Sequence, residues 1–178
     1  DSLTWSNIES NFDKSIQKQK AVYANKTIYV FATNESGICM TQTADGSVWS
    51  DLTNTNLPAV ADYASVMVWG GQFYILADNE LYTSLDGLNW DKVETAQRFS
   101  QLVANIHNTY VQKMIGIDTD NYYLESEDGI TWIRTEEMPS EFPTSNYAFV
   151  SYPLNTNEKF SKIVLMGKTN LSTDTITT

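Results

Sequence analysis

Ser84-Leu85-Asp86-Gly87-Leu88-Asn89-Trp90 decides the fold of this chain, because it recurs. Thr43-Ala44-Asp45-Gly46-Ser47-Val48-Trp49 precedes it, and Ser126-Glu127-Asp128-Gly129-Ile130-Thr131-Trp132 follows it. Asp1-Ser2-Leu3-Thr4-Trp5 opens the chain with the same Asp-to-Trp separation. The aspartates Asp1, Asp45, Asp86 and Asp128 lie 41 to 44 residues apart, a fixed period that marks a repeat architecture. Asp-Gly between apolar runs signals a hairpin, since glycine accepts positive φ and aspartate binds nearby backbone amides. The Thr43, Ser84 or Ser126 hydroxyl, two residues earlier, can tie the same turn. Trp5, Trp49, Trp90 and Trp132 can then fold back as apolar plugs, each with an indole N–H free for an acceptor.

Outward from each motif the order of segments repeats. A first apolar stretch (Ala21 to Ala24, Ser65 to Trp69, Leu102 to Ile106, Ala148 to Tyr152) reaches a polar turn. A second follows (Ile28 to Ala32, Phe73 to Ala77, Val111 to Ile117, Ile163 to Met166). A third runs into the motif (Ile38 to Thr43, Leu81 to Ser84, Tyr122 to Ser126), and a more polar fourth begins after the Trp (Ser50-Asp51, Asp91-Lys92, Arg134-Thr135). Short runs rich in Val, Ile, Tyr and Phe between Gly/Asn/Asp turns read as strands. Only Ile8 to Lys20 carries a hint of helical period, as a linker. The expectation is an all-β propeller of four-stranded antiparallel blades, ordered from the axis outward, because forty-odd residues is one blade's length. The units are 1–10 (an outer strand), 21–55, 62–96, 101–137 and an incomplete 146–178. They are expected to be part of a larger propeller, with a closed four-blade ring as the alternative.

Composition narrows function mainly by exclusion. Net charge is −11, from nine Lys and two Arg against 22 Asp and Glu, a field that repels phosphate backbones and anionic lipid. No nucleic-acid partner is expected. No apolar run approaches the ~18 residues of a membrane helix. The chain starts inside a repeat, so no signal peptide is read here and the true N-terminus is expected upstream, where a lipid anchor would sit. The single cysteine, Cys39, lies in the apolar run Ile38-Cys39-Met40 and reads as a small buried side chain. His107, the one histidine, reads as a surface turn residue in Ile106-His107-Asn108-Thr109. No Cys/His set for zinc and no Gly-x-Ser-x-Gly elbow is present, and no catalytic residue is singled out. Asn25-Lys26-Thr27, Asn34-Glu35-Ser36 and Asn170-Leu171-Ser172 are sequons that matter only in a glycosylating host.

The loops joining second to third strands share one face with the connections between blades. They carry Glu35, Asp78, Glu80, Asp118 and Asp120. Turn chemistry accounts for them without a ligand. Carboxylate oxygens also suit a glycan's hydroxyls or Ca²⁺, for which Asp118 and Asp120 are the weak candidates, lacking the Gly and distal Glu of a calcium loop. No other cofactor is expected. Among the aromatics Trp69 is the candidate for sugar stacking, because it ends a first strand beside Gly70-Gly71.

The motif resembles the Asp-box, the bacterial neuraminidase repeat, written Ser-x-Asp-x-Gly-x-Thr-Trp. The copies here run one residue short between Asp and Gly, as in secreted bacterial propellers. In that family the box looks structural and lies opposite the binding face. Sialidases of this kind hold substrate with three arginines, whereas this chain has Arg98 and Arg134, the latter on an outer strand. The whole pattern is similar to secreted and lipid-anchored propellers of the Bacteroides group. That resemblance implies an extracytoplasmic, non-catalytic recognition module binding a glycan or protein on its loop face. The alternatives are a sialidase-like glycoside hydrolase and an assembly factor that holds another protein.

Overall fold

A computed structural model describes residues 17–58, 63–107, 112–138, 147–153 and 161–167 of the chain. Fourteen strands run through them. The first sheet is β1 (Gln17–Ala24), β2 (Thr27–Asn34), β3 (Gly37–Thr43) and β4 (Thr53–Asn54), hydrogen-bonded in that order. The second repeats it with β5 (Tyr63–Trp69), β6 (Gln72–Ala77), β7 (Glu80–Ser84) and β8 (Asp91–Lys92). The third is β9 (Phe99–His107), β10 (Gln112–Asp118), β11 (Tyr122–Ser126) and β12 (Ile133–Glu137). β13 (Tyr147–Pro153) and β14 (Ser161–Gly167) pair as two strands of a fourth. All these pairings are antiparallel.

The sheets are blades. Their first strands neighbour one another in sequence order, β1 by β5, β5 by β9 and β9 by β13. One such contact is the Leu102 N–H donating to Ser65 Oγ at 3.1 Å. The fourth strands lie at the outside, with β4, β8 and β12 exposed at every residue. Charged residues on that rim discourage edge pairing. Tight turns join the inner strands: Asn25 and Lys26 take φ of 49° and 62°, and Asp78 and Asn79 take 51° and 63°. Positive φ at both central residues is the hairpin geometry that matches strand twist.

The nearly unbroken apolar run of β6 follows from being covered twice. Phe73, Ile75 and Ala77 pack with Phe31, Ile38 and Met40 of the first blade. The alternate residues Tyr74 and Leu76 pack with Phe99, Met114 and Leu124 of the third. Phe31, Ile38, Ile75, Leu76, Leu81, Met114 and Leu124 are all fully buried. A strand buried on both faces loses period-two alternation, as in any two-sided sheet.

Several boundaries differ from the sequence reading. Gln17 to Lys20, inside the stretch with helical period, belong to β1, which extends the ladder to Gln17↔Thr33 through an irregularity. The backbone ladder sets that strand, although its polar residues hide it in an apolar count. His107 ends β9, paired with Gln112, and so precedes the turn. In the first blade the outer ladder is Thr53–Asn54. Ser50 meets β3 ahead of it, its N–H donating to Gln42 O at 2.9 Å. Cys39 is fully buried, donates to Ala32 O at 3.4 Å, and has its thiol pKa raised by burial.

Candidate functional site: two ends of the blades

Antiparallel order sorts the connections to two ends. One end carries the first-to-second-strand turns and the Asp-Gly-x-x-Trp turns. The other carries the second-to-third-strand turns and the links between blades.

The three Asp-Gly turns are built alike. Ser84 Oγ accepts the Gly87 N–H at 2.9 Å and donates to Asp86 Oδ1 at 3.0 Å. Asp86 Oδ1 also accepts the Leu88 and Asn89 N–H groups, both at 2.8 Å. In the third blade Ser126 Oγ accepts from Gly129 at 2.8 Å, and Asp128 Oδ1 accepts from Ile130 and Thr131 at 2.8 and 2.6 Å. In the first, Thr43 Oγ1 accepts from Gly46 at 3.0 Å, and Asp45 Oδ1 from Ser47 and Val48 at 2.8 and 3.2 Å. The glycines sit at φ 79°, 79° and 74° in chain order. Amide donors favour the ionised carboxylate. The Ser47 N–H first of all brings Asp45 down to about 2, and the Thr131 N–H does the same for Asp128. Asp86 is lowered as well, chiefly by the Asn89 N–H.

The indoles complete the turn. Trp90 Nε1 donates to Gly87 O at 2.9 Å, and Trp132 Nε1 to Gly129 O at 3.2 Å. Both rings are buried, Trp90 edge-on to Phe31 of the preceding blade with centroids 5.8 Å apart. The turn itself also leans backward. A Cβ on Gly87 would lie 3.3 Å from the Phe31 ring, and one on Gly129 would overlap Tyr74. Trp49 is half-buried in the equivalent first turn, while Asp1 and Trp5 lie outside the described residues. These residues are mechanical: they fasten the second blade to the first and the third to the second.

At the loop end the predicted carboxylates go to different tasks. Glu35 is exposed in the β2–β3 turn, where Asn34 Oδ1 accepts the Ser36 N–H at 2.8 Å. Asp78 is itself a left-handed turn residue. Asp118 ends β10 and is 1% exposed. Its Oδ1 accepts the Asp120 and Tyr122 N–H groups at 2.8 and 2.9 Å, and its Oδ2 meets Arg134 Nη2 at 2.5 Å as an ion pair. Asp120 Oδ2 holds the same nitrogen at 2.7 Å, and the guanidinium lies 4.5 Å over the Tyr122 ring. Arg134 thus bridges the two carboxylates proposed for calcium and balances one of their two charges, and the pairing, led by Asp120, raises its own pKa. Among the described residues no group of three or more His, Cys, Asp or Glu is arranged to hold a metal ion.

The repeat shows what sets Asp118 apart from the other carboxylates. Counting four residues on from the partner of each motif hydroxyl reaches Ala32, Ala77 and Asp118. The third blade therefore buries a carboxylate where the others bury a methyl group. Trp69 is placed differently again. It ends β5 at the Asp-Gly end, opposite the acidic loops, and packs edge-on to Tyr74 at 6.4 Å. It shares no site with Glu35, Asp78, Glu80, Asp118 or Asp120.

Glu80 does border an opening. A cleft of about 260 Å³ lies between the outer end of the second blade and the connection to the third, lined by Asn79, Glu80, Lys92, Glu94, Gln97 and Arg98 among others. Glu80 Oε1 accepts from Lys92 Nζ at 2.7 Å and Oε2 from Tyr82 Oη at 3.1 Å. The Lys92 bond is the first cause of its lowered pKa. Lys92, Glu94 and Gln97 escaped the sequence reading, whose only signal there was a mostly polar stretch after β8 interrupted by Val93 and Ala96. A second hollow, about 300 Å³, lies on the flank of the third blade by Lys113, Glu125 and Ile133. Lys113 and Glu125, bonded at 2.6 Å, correspond to Gln72 and Thr83 of the second blade. Those two bond each other beside Tyr74, under the Gly129 turn. The hollow is ground for packing between blades.

Repeated blades, adjacent inner strands and backward-leaning turns agree with a family model for the DUF6242 beta propeller domain, which matches residues 1–178. The chain belongs to that family. No curated protein matches it. Membership establishes the propeller and leaves the ligand to be argued from the cleft. Among the described residues no helix is long and apolar enough to cross a membrane.

Proposed function

We propose that this propeller is a non-catalytic recognition module of a secreted or surface-attached protein, binding a glycan or a protein at its loop end. The observation that carries the reading is the polar cleft beside Glu80, formed where the second blade meets its connection to the third. Ligand sites favour such junctions. The neighbouring carboxylates support binding over chemistry. A glycosidase needs one carboxyl group with a raised pKa to protonate the leaving oxygen. Glu80 is shifted the opposite way by Lys92, and Asp118 and Asp120 are spent on Arg134. The geometry of the Asp-Gly turns supports the Asp-box resemblance, with the box as a fastener at the far end. Glycan-array binding by the intact chain, without turnover of fluorogenic glycosides, is the expected result. Turnover abolished by Glu80→Gln would overturn the reading in favour of a hydrolase.

A further inference from the structure

The cleft's lining separates into committed and uncommitted groups. Both oxygens of Glu80 are taken, by Lys92 and Tyr82, so this pair forms a fixed wall. The connection opposite is pinned at each end. Val93 N–H donates to Leu81 O at 2.8 Å, Phe99 N–H to Asn79 O at 3.1 Å, and Thr119 N–H to Arg98 O at 3.0 Å. Gln97 N–H closes on Thr95 Oγ1 at 3.2 Å between them. An opening held this way is preformed, so a ligand entering it meets little ordering cost.

The uncommitted groups are Arg98, Glu94 and the Asn79 and Gln97 amides. Among the described residues the Arg98 guanidinium acts on Glu80, and Glu94 on Lys92, only electrostatically, without a hydrogen bond or close ion pair. Both donors and acceptors therefore line the opening. The formal charges of Glu80 and Glu94 cancel those of Lys92 and Arg98. A carboxylate ligand drawn to Arg98 would also face Glu80 and Glu94, on a chain of net charge −11. Like charges at such range are repulsive. A polyhydroxyl ligand without charge has no such penalty, and each of its hydroxyls can both donate and accept.

We infer that this cleft takes one uncharged sugar unit of a saccharide, with Arg98 and Glu94 as its binding residues and the Glu80–Lys92 pair as their rigid support. The inference rests on the recognition reading above and specifies its ligand. The test is a glycan array of neutral hexose and N-acetylhexosamine oligosaccharides beside sialylated and uronate-containing ones, followed by calorimetric titration of the strongest binder. Binding is expected in the neutral set, weakened at least tenfold by Arg98→Ala and by Glu94→Gln, and unchanged by Glu125→Ala on the far flank. Unaltered thermal midpoints would show the variants folded. Preference for the acidic set would overturn the ligand class. Neutral binding untouched by both cleft variants would overturn the site while leaving the recognition reading standing. Binding to neither set would bring down the glycan reading itself.

Discussion

Replacing Gly129 with alanine measures how firmly one blade's turn bears on its neighbour. The residue sits at φ 74°, so any L side chain pays for the left-handed conformation, about 1–2 kcal/mol. The added Cβ would also fall 2.7 Å from Tyr74 Cζ and 2.9 Å from its Cε1, with the hydroxyl closer still. Overpacking of that kind costs about 1–3 kcal/mol. Gly46 occupies the same turn at φ 79°, with nothing within 4 Å of its Cβ position among the described residues. Gly46→Ala should therefore cost only about 1–2 kcal/mol, and Gly129→Ala about 2–5 kcal/mol. Urea denaturation followed by tryptophan fluorescence reads both. Tyr74→Leu should recover part of the loss in the Gly129→Ala background, as a favourable coupling of about 1–3 kcal/mol. Equal costs at the two glycines, with no coupling to Tyr74, would refute the backward lean of the turns.

Acid should loosen the turns in a defined window. Asp45 and Asp128 titrate at about 2 when folded, below the ~3.9 of an unfolded aspartate, so their stabilisation is complete above that value. Denaturation midpoints should hold steady above about pH 5 and fall between about pH 4 and 2, and the Asp45→Asn/Asp128→Asn double variant should flatten the slope. Arg134→Ala leaves Asp118 buried without its cation and should destabilise the chain more than Asp118→Ala, which installs the residue of the other blades. The double variant should then be no less stable than Arg134→Ala alone, as a chemical-denaturation cycle would reveal. Ser84→Ala removes the acceptor for Gly87 N–H and a donor to Asp86, and should lower stability by about 1 kcal/mol in a thermal melt.

The fold was legible because its signals are local. Asp-Gly, the preceding hydroxyl and the following Trp all act within seven residues, and the side-chain hydrogen bonds of Ser84, Asp86 and Trp90 stay inside that window. The inner strands were legible because burial on two faces leaves unbroken apolar runs such as Phe73 to Ala77. What escaped was non-local. Arg134 reads as an outer-strand charge until the β11–β12 pairing carries it across to Asp118 and Asp120. Trp69 reads as a sugar-stacking candidate because it ends a first strand beside Gly70-Gly71, and strand direction sends that end away from the acidic loops. The cleft depends on how residues 93–98 are pinned by Leu81 and Asn79, and no spacing in the sequence encodes those two carbonyls.

The central claim is that the Asp86-Gly87 and Asp128-Gly129 turns each close on themselves through their Trp and dock onto the blade before them. Proton NMR of the indole groups tests it most directly. The Trp90 and Trp132 Nε1 protons should exchange slowly, each bonded to a glycine carbonyl, and the Trp90 ring should show Overhauser contacts to Phe31 across the blade interface. Indole protons that exchange as fast as in free tryptophan, with no contact between Trp90 and Phe31, would contradict it.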